Sequence, residues 1–443
     1  MVFLNLQTTS IVNIPEKFLH HLWKHRLFFE EKLATQLGEK IEVIKVGQHN
    51  IHAGPDFQNA RIRIGNTLWV GNVEIHIHSS DWYCHGHHHD KAYDNVILQV
   101  VLNHNQQVRR TNNEVIPTTE IQFDNNLFIH YQHLQENESW IPCEKELPTV
   151  DPSIIDFWLS RLTIERLEHK TRQIEQLLLE NQNNWEAAFY IMLAKNFGFK
   201  VNAGPFEMLA RSLPLSNVSR IRDNLQQLEA LFFGQAGFLD QKRLDDEYHR
   251  QLFDEFLYLQ KRFRVKPMPK HLWRFAKLRP VNFPTLRIAQ FCTLMHQSER
   301  LFSEILERST LHQLRTLFDL QPSPYWNTHY GFHKTSPHRH KRLGEDAFNV
   351  LVVNTIVPFL FIYGQIHDKP QFKERALDLL LETGPEKNSI LSRWKILGVN
   401  IPNAYYSQAL LELKNVYCNQ RRCLDCQIGN QLLNRPQREG YPM

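Results

Sequence analysis

Cysteine is scarce in this sequence. Six in 443 residues do not make a disulfide framework, and three of the six crowd the C-terminus. Charge of one sign is also lacking. Lys and Arg total 51 against 47 Asp and Glu, a net of +4, so any nucleic-acid-binding surface must be local. There is no long hydrophobic run. The most apolar stretch, Val350–Gly364, carries Asn354, Thr355 and Pro358 and falls short of the ~20 residues a bilayer-spanning helix needs, so it reads as a buried helix. The opening MVFLNLQTTSIVNIPEKF has no basic start followed by an apolar core and does not read as a secretory leader. These features point to an intracellular, cytoplasmic protein with no membrane contact.

What is present is ordinary in bulk and unusual in one place. Hydrophobic residues are 42% and charged residues 22%, as in soluble globular proteins, and the length suggests two or three domains. Histidine occurs 24 times, with many copies between His49 and His104. Imidazole titrates near neutrality and binds transition metals, so this concentration is a candidate site.

The first third alternates helix and strand patterns. Phe18, Leu19, Leu22, Trp23, Leu27 and Leu33 recur at helical spacing. Strands are predicted in EKIEVIKVG, in ARIRIG and in TLWVGNVEIHIH, the last two joined by a Gly65-Asn66 turn. DNVILQVVLNH (Asp94–His104) reads as a buried strand, and QQVRRTNNEVIPTTEIQF holds a last strand pair. WIPCEKELPTVDPS carries three prolines and reads as a linker. Beyond it nearly everything is helical, with amphipathic stretches such as Asp245–Phe263, Leu301–Phe318 and Ala404–Tyr417. The expected architecture is an α/β domain over residues 1–141, a linker over 142–153, and an all-helical domain over 154–443 that ends in the cysteine cluster.

Side chains alternate across a strand, so Glu74, His76 and His78 share one face, and Val73, Ile75 and Ile77 the other. Pairing of ARIRIG with TLWVGNVEIHIH brings Asp56 towards the Glu74 end of its partner. Two carboxylates on adjacent strands suit Mg²⁺ or Mn²⁺, which would neutralise a phosphate and acidify a bound water. His76 would orient or deprotonate that water. A plain solvated strand face, with Asp56 as a turn residue, accounts for the same pattern. In the following SSDWYCHGHHHDKAYDN, His85, His87, His88, His89 and Asp90 are candidate transition-metal ligands, and Asp81 and Lys91 lie among them.

Pro55-Asp56 followed by Glu74-Ile75-His76 across a hairpin resembles the PD-(D/E)xK nuclease superfamily. The resemblance implies a restriction-endonuclease-like mixed sheet with flanking helices. It also implies a cation on Asp56 and Glu74, and a helix-borne glutamate for which Glu31, or Glu30, would serve. His76 replaces the usual lysine. Longer stretches, among them AGPDFQNARIRIGNTLWVGNVEIHIHSSDW, HHHDKAYDNVILQVV, RPVNFPTLRIAQ and CNQRRCLDCQIGN, resemble an uncharacterised bacterial family, domain of unknown function 2851, which implies no activity.

Cys418-x4-Cys423-x2-Cys426 suits Zn²⁺ or an iron–sulfur cluster, and a closed site needs a fourth ligand. Cys143 is the favoured distant partner; Cys84, Cys292 or a histidine are the others. Lys261–Arg287 contains nine Lys or Arg and no acid, with Phe263, Trp273 and Phe275 interleaved. Arg274, Lys277 and Arg279 are candidate phosphate contacts, and the aromatics are either base-stacking platforms or core. The expected function is a metal-dependent nuclease or phosphodiesterase acting on DNA or RNA. A non-catalytic nucleic-acid-binding or scaffold protein is the alternative, and a metal hydrolase using His76, His78 and His85 is a third. Protein partners are not indicated.

Overall fold

The computed structural model describes residues 14–241 and 245–434, so most of the segment read for a leader lies outside it. The chain forms two units, Met1–Ile155 with Asn415–Met443, and Asp156–Lys414. The first contains a mixed sheet and the second is almost entirely helical.

Helix α1 (Glu16–His25) opens the first unit. Strands β1 (Ile41–Lys45), β2 (Gln48–His49), β3 (Phe57–Ile64) and β4 (Thr67–His78) follow, then the short helix α2 (Asp81–Cys84), β5 (Val96–Asn103), β6 (Thr118–Glu120) and helix α3 (Asn125–Glu136). The sheet order is β1-β3-β4-β5-β6, with β2 beside β3. β1, β3 and β4 run antiparallel, whereas β5 lies parallel to β4 and β6 parallel to β5. The hairpin turns at Gly65, whose φ of 57° costs a glycine little, and sets the register Ile64 to Thr67. β4 is long enough to pair with β3 along its first part and with β5 along its second. Gly71 stands at this change of partner, where a Cβ would meet Ile97 Cγ2 at 2.4 Å and Asn95 O at 2.6 Å.

Phe18, Leu19, Leu22 and Trp23 of α1 share a core with Phe128, Tyr131 and Leu134 of α3, with Val73 and Ile75 of β4, and with Leu98 and Val100 of β5. The helical spacing seen from Phe18 to Leu33 is not one helix. Arg26 takes a left-handed conformation (φ 53°) and caps α1 with N–H bonds to Leu22 O and Trp23 O. Phe28 and Leu33 then reach the same core from a turn, which the apolar pattern does not distinguish from a longer helix.

Two expectations about domain limits are corrected. Segment 142–153 is no free linker. Leu147 and Val150 are buried, Asn137 Nδ2 donates to Pro142 O at 2.8 Å, and Asp151 N donates to Gln431 Oε1 at 3.1 Å. The C-terminal cysteines belong with the first unit, because Cys423 and Leu433 enter its core and Arg421 donates to Leu134 O and Asn137 O.

In the second unit, helices begin where Asn or Asp can cap them. Asn184, Asn224, Asp246, Asn388 and Asn403 each accept a backbone N–H of the first turn. The helix expected over Leu301–Phe318 is two, Leu301–Glu307 and Leu311–Leu317, the second started by a Thr310–Gln313 capping box. Pro284–Gln297 and Phe199–Ser212 are further helices. The first is buried nearly all round and so lacks an amphipathic signature. The apolar run over Val350–Gly364 belongs to one continuous helical stretch, Glu345–Ile366, whose 22 residues are long and apolar enough to cross a membrane by length and composition. Leu351, Val352, Ile356, Val357, Phe359 and Leu360 are instead buried in the helical core. Pro358 cannot donate to the Asn354 carbonyl; the helix widens over Val352–Ile356, and Asn196 Nδ2 supplies that carbonyl at 3.0 Å.

Glu229 is buried in this core, where its Oε1 accepts from Ser323 Oγ at 2.9 Å, and burial pushes its pKa from the ordinary 4.5 to about 7. Below pH 4.5 the carboxyl is protonated in folded and unfolded chains alike. As pH rises to about 7 the unfolded chain ionises first, so the folded state loses about 3 kcal/mol across that window. Glu229→Gln is expected to remove this slope and to raise the urea midpoint of the helical unit at pH 8 relative to wild type, as followed by circular dichroism.

Candidate functional site

The β3–β4 register carries Asp56, just before β3, to Glu74 on β4. Two bonds tie them across the strands: Asp56 N donates to Glu74 Oε2 at 3.1 Å, and Ile75 N, next to Glu74, donates to Asp56 Oδ2 at 3.0 Å. The face of β4 that holds Glu74 and His76 is not solvated. Glu74 is 4% exposed and His76 1%, beneath the crossover from β4 to β5. Trp82 of that crossover packs with Val96, Val108 and Ile116 in a small second core, and its Nε1 donates to Arg109 O at 3.0 Å.

The crossover also delivers histidines. His87 Nε2 lies 3.1 Å from Glu74 Oε1, with the His87 ring stacked on Tyr93 at 3.8 Å. Ligand atoms of His76, His85 and His87 lie within 4.8 Å of one another. From α1, His20 Nε2 approaches Asp56 Oδ2 at 3.3 Å and Glu16 Oε1 at 3.8 Å. Asp56, Glu74 and His76 are therefore brought together, and His85, His87, His20 and Glu16 join them. His78 is exposed, and His87 takes the place expected for it. Glu31 is corrected: it is exposed on the turn Glu30–Lys32 beyond the α1 cap, and Glu16, one helix earlier, faces the cluster. His20 and Glu16 stand at helical spacing (i, i+4), a signal present in the sequence but silent without the β3–β4 register.

Nε2 of His20, His76 and His87 are all buried, and those of His20 and His87 face Asp56 Oδ2 and Glu74 Oε1 at 3.3 and 3.1 Å. Carboxylate oxygens and imidazole nitrogens gathered in this way are atoms that could hold a divalent cation. Burial raises the Glu74 pKa, and the charge of Asp56 adds to the effect, while His87 opposes it. Burial also pushes Asp56 up, but His20 and the Ile75 N–H outweigh it and its pKa falls below the ordinary value. His76 is driven down to about 3, by burial first and then by His87 and His85, and is neutral at physiological pH.

A family model described as Protein of unknown function (DUF2851) matches residues 16–389. The chain belongs to the DUF2851 family. No curated protein and no solved structure matches it. The matched span of this DUF2851 protein includes the whole cluster and Cys143, and it ends before Cys418, Cys423 and Cys426.

Gln99 on β5 assigns the tautomer of His76. Its Nε2 donates to Ser79 O at 3.1 Å, which fixes the amide orientation because a carbonyl only accepts. The same Nε2 faces His76 Nδ1 at 3.0 Å, so Nδ1 accepts and the proton resides on Nε2, pointing into the cluster. His76 is thus a neutral N–H donor, and Asp56, Glu74, His85 and His87 remain the candidate ligands.

The cysteines converge as well. Cys143, Cys418, Cys423 and Cys426 line one cavity of about 20 Å³, together with Leu134, Pro142, Tyr417, Arg422 and Gly429. Burial pushes the thiol of Cys143 far up, and that of Cys423 to about 12, with Cys426 adding to both. Cys84 is exposed elsewhere in the first unit and Cys292 is buried in the second. In the basic stretch, Arg274, Lys277 and Arg279 are exposed. Trp273 is buried with its Nε1 donating to Ala236 O at 2.8 Å, and Phe263 and Phe275 pack against the helical core. These aromatics are core and offer bases no platform.

Heteronuclear NMR of the histidine rings is expected to show His76 as the neutral Nε2–H tautomer down to about pH 4. Gln99→Leu should release it to a mixture of tautomers with backbone shifts otherwise retained. A native Nδ1–H tautomer would contradict the assignment.

Proposed function

We propose that the first unit is the catalytic part of a metal-dependent phosphodiesterase acting on DNA or RNA, a nuclease of PD-(D/E)xK type with histidine in the lysine place. One observation carries the reading: two carboxylates and the buried imidazoles of His20, His76 and His87 meet where β4 changes partner from β3 to β5. The order of elements supports it, namely a helix, three antiparallel strands, a crossover and a parallel strand.

The donor set fits a divalent cation. Asp56 and Glu74 offer oxygen, and His87 and His85 offer nitrogen, a mixture that suits Mn²⁺ or Zn²⁺ better than the all-oxygen preference of Mg²⁺. Such an ion, when bound, would acidify a water and offset phosphate charge. The chain supplies the rest. His20 holds Asp56, and the dry wall of Trp82 and Tyr93 holds His87 against Glu74. The Nε2–H of His76 is placed to donate to a phosphoryl oxygen or to the attacking water, the task a lysine ammonium would perform with a full charge.

Purified protein given labelled single- and double-stranded DNA and RNA is expected to cleave at least one of them with Mn²⁺ or Zn²⁺. Asp56→Asn and Glu74→Gln should each lower the rate by about a hundredfold or more. Glu31→Gln should leave it unchanged. No cleavage with any divalent metal, or full activity in Glu74→Gln, would overturn the reading.

A second reading, a non-catalytic nucleic-acid-binding or scaffold protein, rests on the exposed Arg274, Lys277 and Arg279. It expects salt-sensitive binding of DNA or RNA without cleavage, weakened in the double variant Arg274→Glu, Lys277→Glu. Binding unaffected by that reversal, measured by fluorescence anisotropy across a salt series, would count against it.

A further inference from the structure

We infer that Cys143, Cys418, Cys423 and Cys426 coordinate a metal through four thiolates, as Zn²⁺ or an iron–sulfur cluster. The site is built from two segments more than 270 residues apart in the chain, the turn after α3 and the return of the chain into the first unit.

Several independent features are those of a built site rather than a chance gathering of thiols. Four of the six cysteines in the whole chain line one small cavity. The cavity has room for about one water-sized body. Leu134 and Pro142 make part of its wall apolar, and Arg422 brings a positive charge to it. The loop is tightly shaped: a Cβ on Gly429 would strike Cys423 O at 2.2 Å, so helix Gln427–Leu433 can close over the Cys423–Asp425 turn only with glycine there. Its outer side is pinned by Arg421, which donates to Asn137 O at 2.9 Å, and by Gln135 Nε2, which donates to Arg421 O at 3.0 Å. Positive charge stands nearby in Arg421 and Lys17, both close enough to act on the Cys423 thiol. A tetrathiolate centre carries net negative charge, which such cations offset.

The centre would be structural. Four cysteine ligands close a tetrahedral site and leave no position for substrate. Binding would fasten the segment just before the chain leaves the first unit to the segment just after it returns, and its free energy would add directly to the folding of that unit. The inference does not depend on the phosphodiesterase reading, since none of the four cysteines is among the cluster on β4.

The test is metal analysis of the full chain, purified anaerobically without chelator. Near-stoichiometric zinc is expected, or iron with matching acid-labile sulfide and broad visible absorption. Titration with a mercurial should release the metal in step with thiol modification, which excludes a histidine-held ion as its source. Cys143→Ser and Cys426→Ser should lose the metal, and Cys84→Ser and Cys292→Ser should keep it. A zinc form exchanged with Co²⁺ should show thiolate-to-cobalt charge transfer in the near ultraviolet. Should the ligand variants fail to fold, mercurial release from the wild-type protein decides alone. A folded protein that yields no metal to the mercurial, or Cys143→Ser retaining full metal content, would overturn the inference.

Discussion

Two hydrogen bonds between neighbouring strands hold the polar centre of the first unit. Asp56 gives its N–H to the Glu74 carboxylate, and the N–H of Ile75 goes to the Asp56 carboxylate. These bonds tie the strands beyond the Phe57–Val73 pair, where the backbone ladder between β3 and β4 ends. The consequence is strict. Neither acid can move without breaking a backbone bond, so the two oxygens stay adjacent in a place from which water is largely excluded. Like charges so close and so buried cost free energy unless something positive stands by. The chain places three imidazoles there, those of His20, His76 and His87.

The rest of the unit is arranged around that cost. α1 contributes His20 against Asp56 while its apolar face, Phe18, Leu19 and Leu22, packs in the main core. The crossover contributes His87 against Glu74 while Trp82 seals the other side. Gln99, itself buried, reads the Ser79 carbonyl and sets the proton of His76. The helical unit has a buried polar network of its own. Glu412, almost fully buried, takes Arg166 at 3.1 Å and His169 at 2.6 Å, and Lys170 finds Gln408, Asn354 and the Val353 carbonyl. There every hydrogen of the lysine has an acceptor, and the network closes on itself.

Much of the first unit was legible. Alternation in Ala60–Ile64 and Val73–Ile77, with a glycine turn between them, is enough to place the hairpin, its buried faces and the sharing of one face by Glu74 and His76. Helix starts in the second unit were legible where Asn184, Asn224 or Asn403 precede an apolar stretch. What misled was periodicity where the chain turns. Leu27 and Leu33 extend the α1 pattern although Arg26 ends the helix, so Glu31 stands on a turn beyond it. The basic stretch was ambiguous for a related reason: aromatics that pack inward and aromatics that face a ligand have the same spacing in sequence.

By itself, then, the sequence determined the local elements, the alternation that segregates polar from apolar side chains on β4, and the thiol spacing near the C-terminus, because each depends on neighbours a few residues away. Only the tertiary structure decided that the polar face is buried rather than wet, that His87 and not His78 joins His76, and that Cys143 meets the C-terminal cysteines inside the first unit. Those outcomes depend on which distant segment covers a given face. That choice is made by the packing of whole helices and crossovers, and no local pattern encodes it.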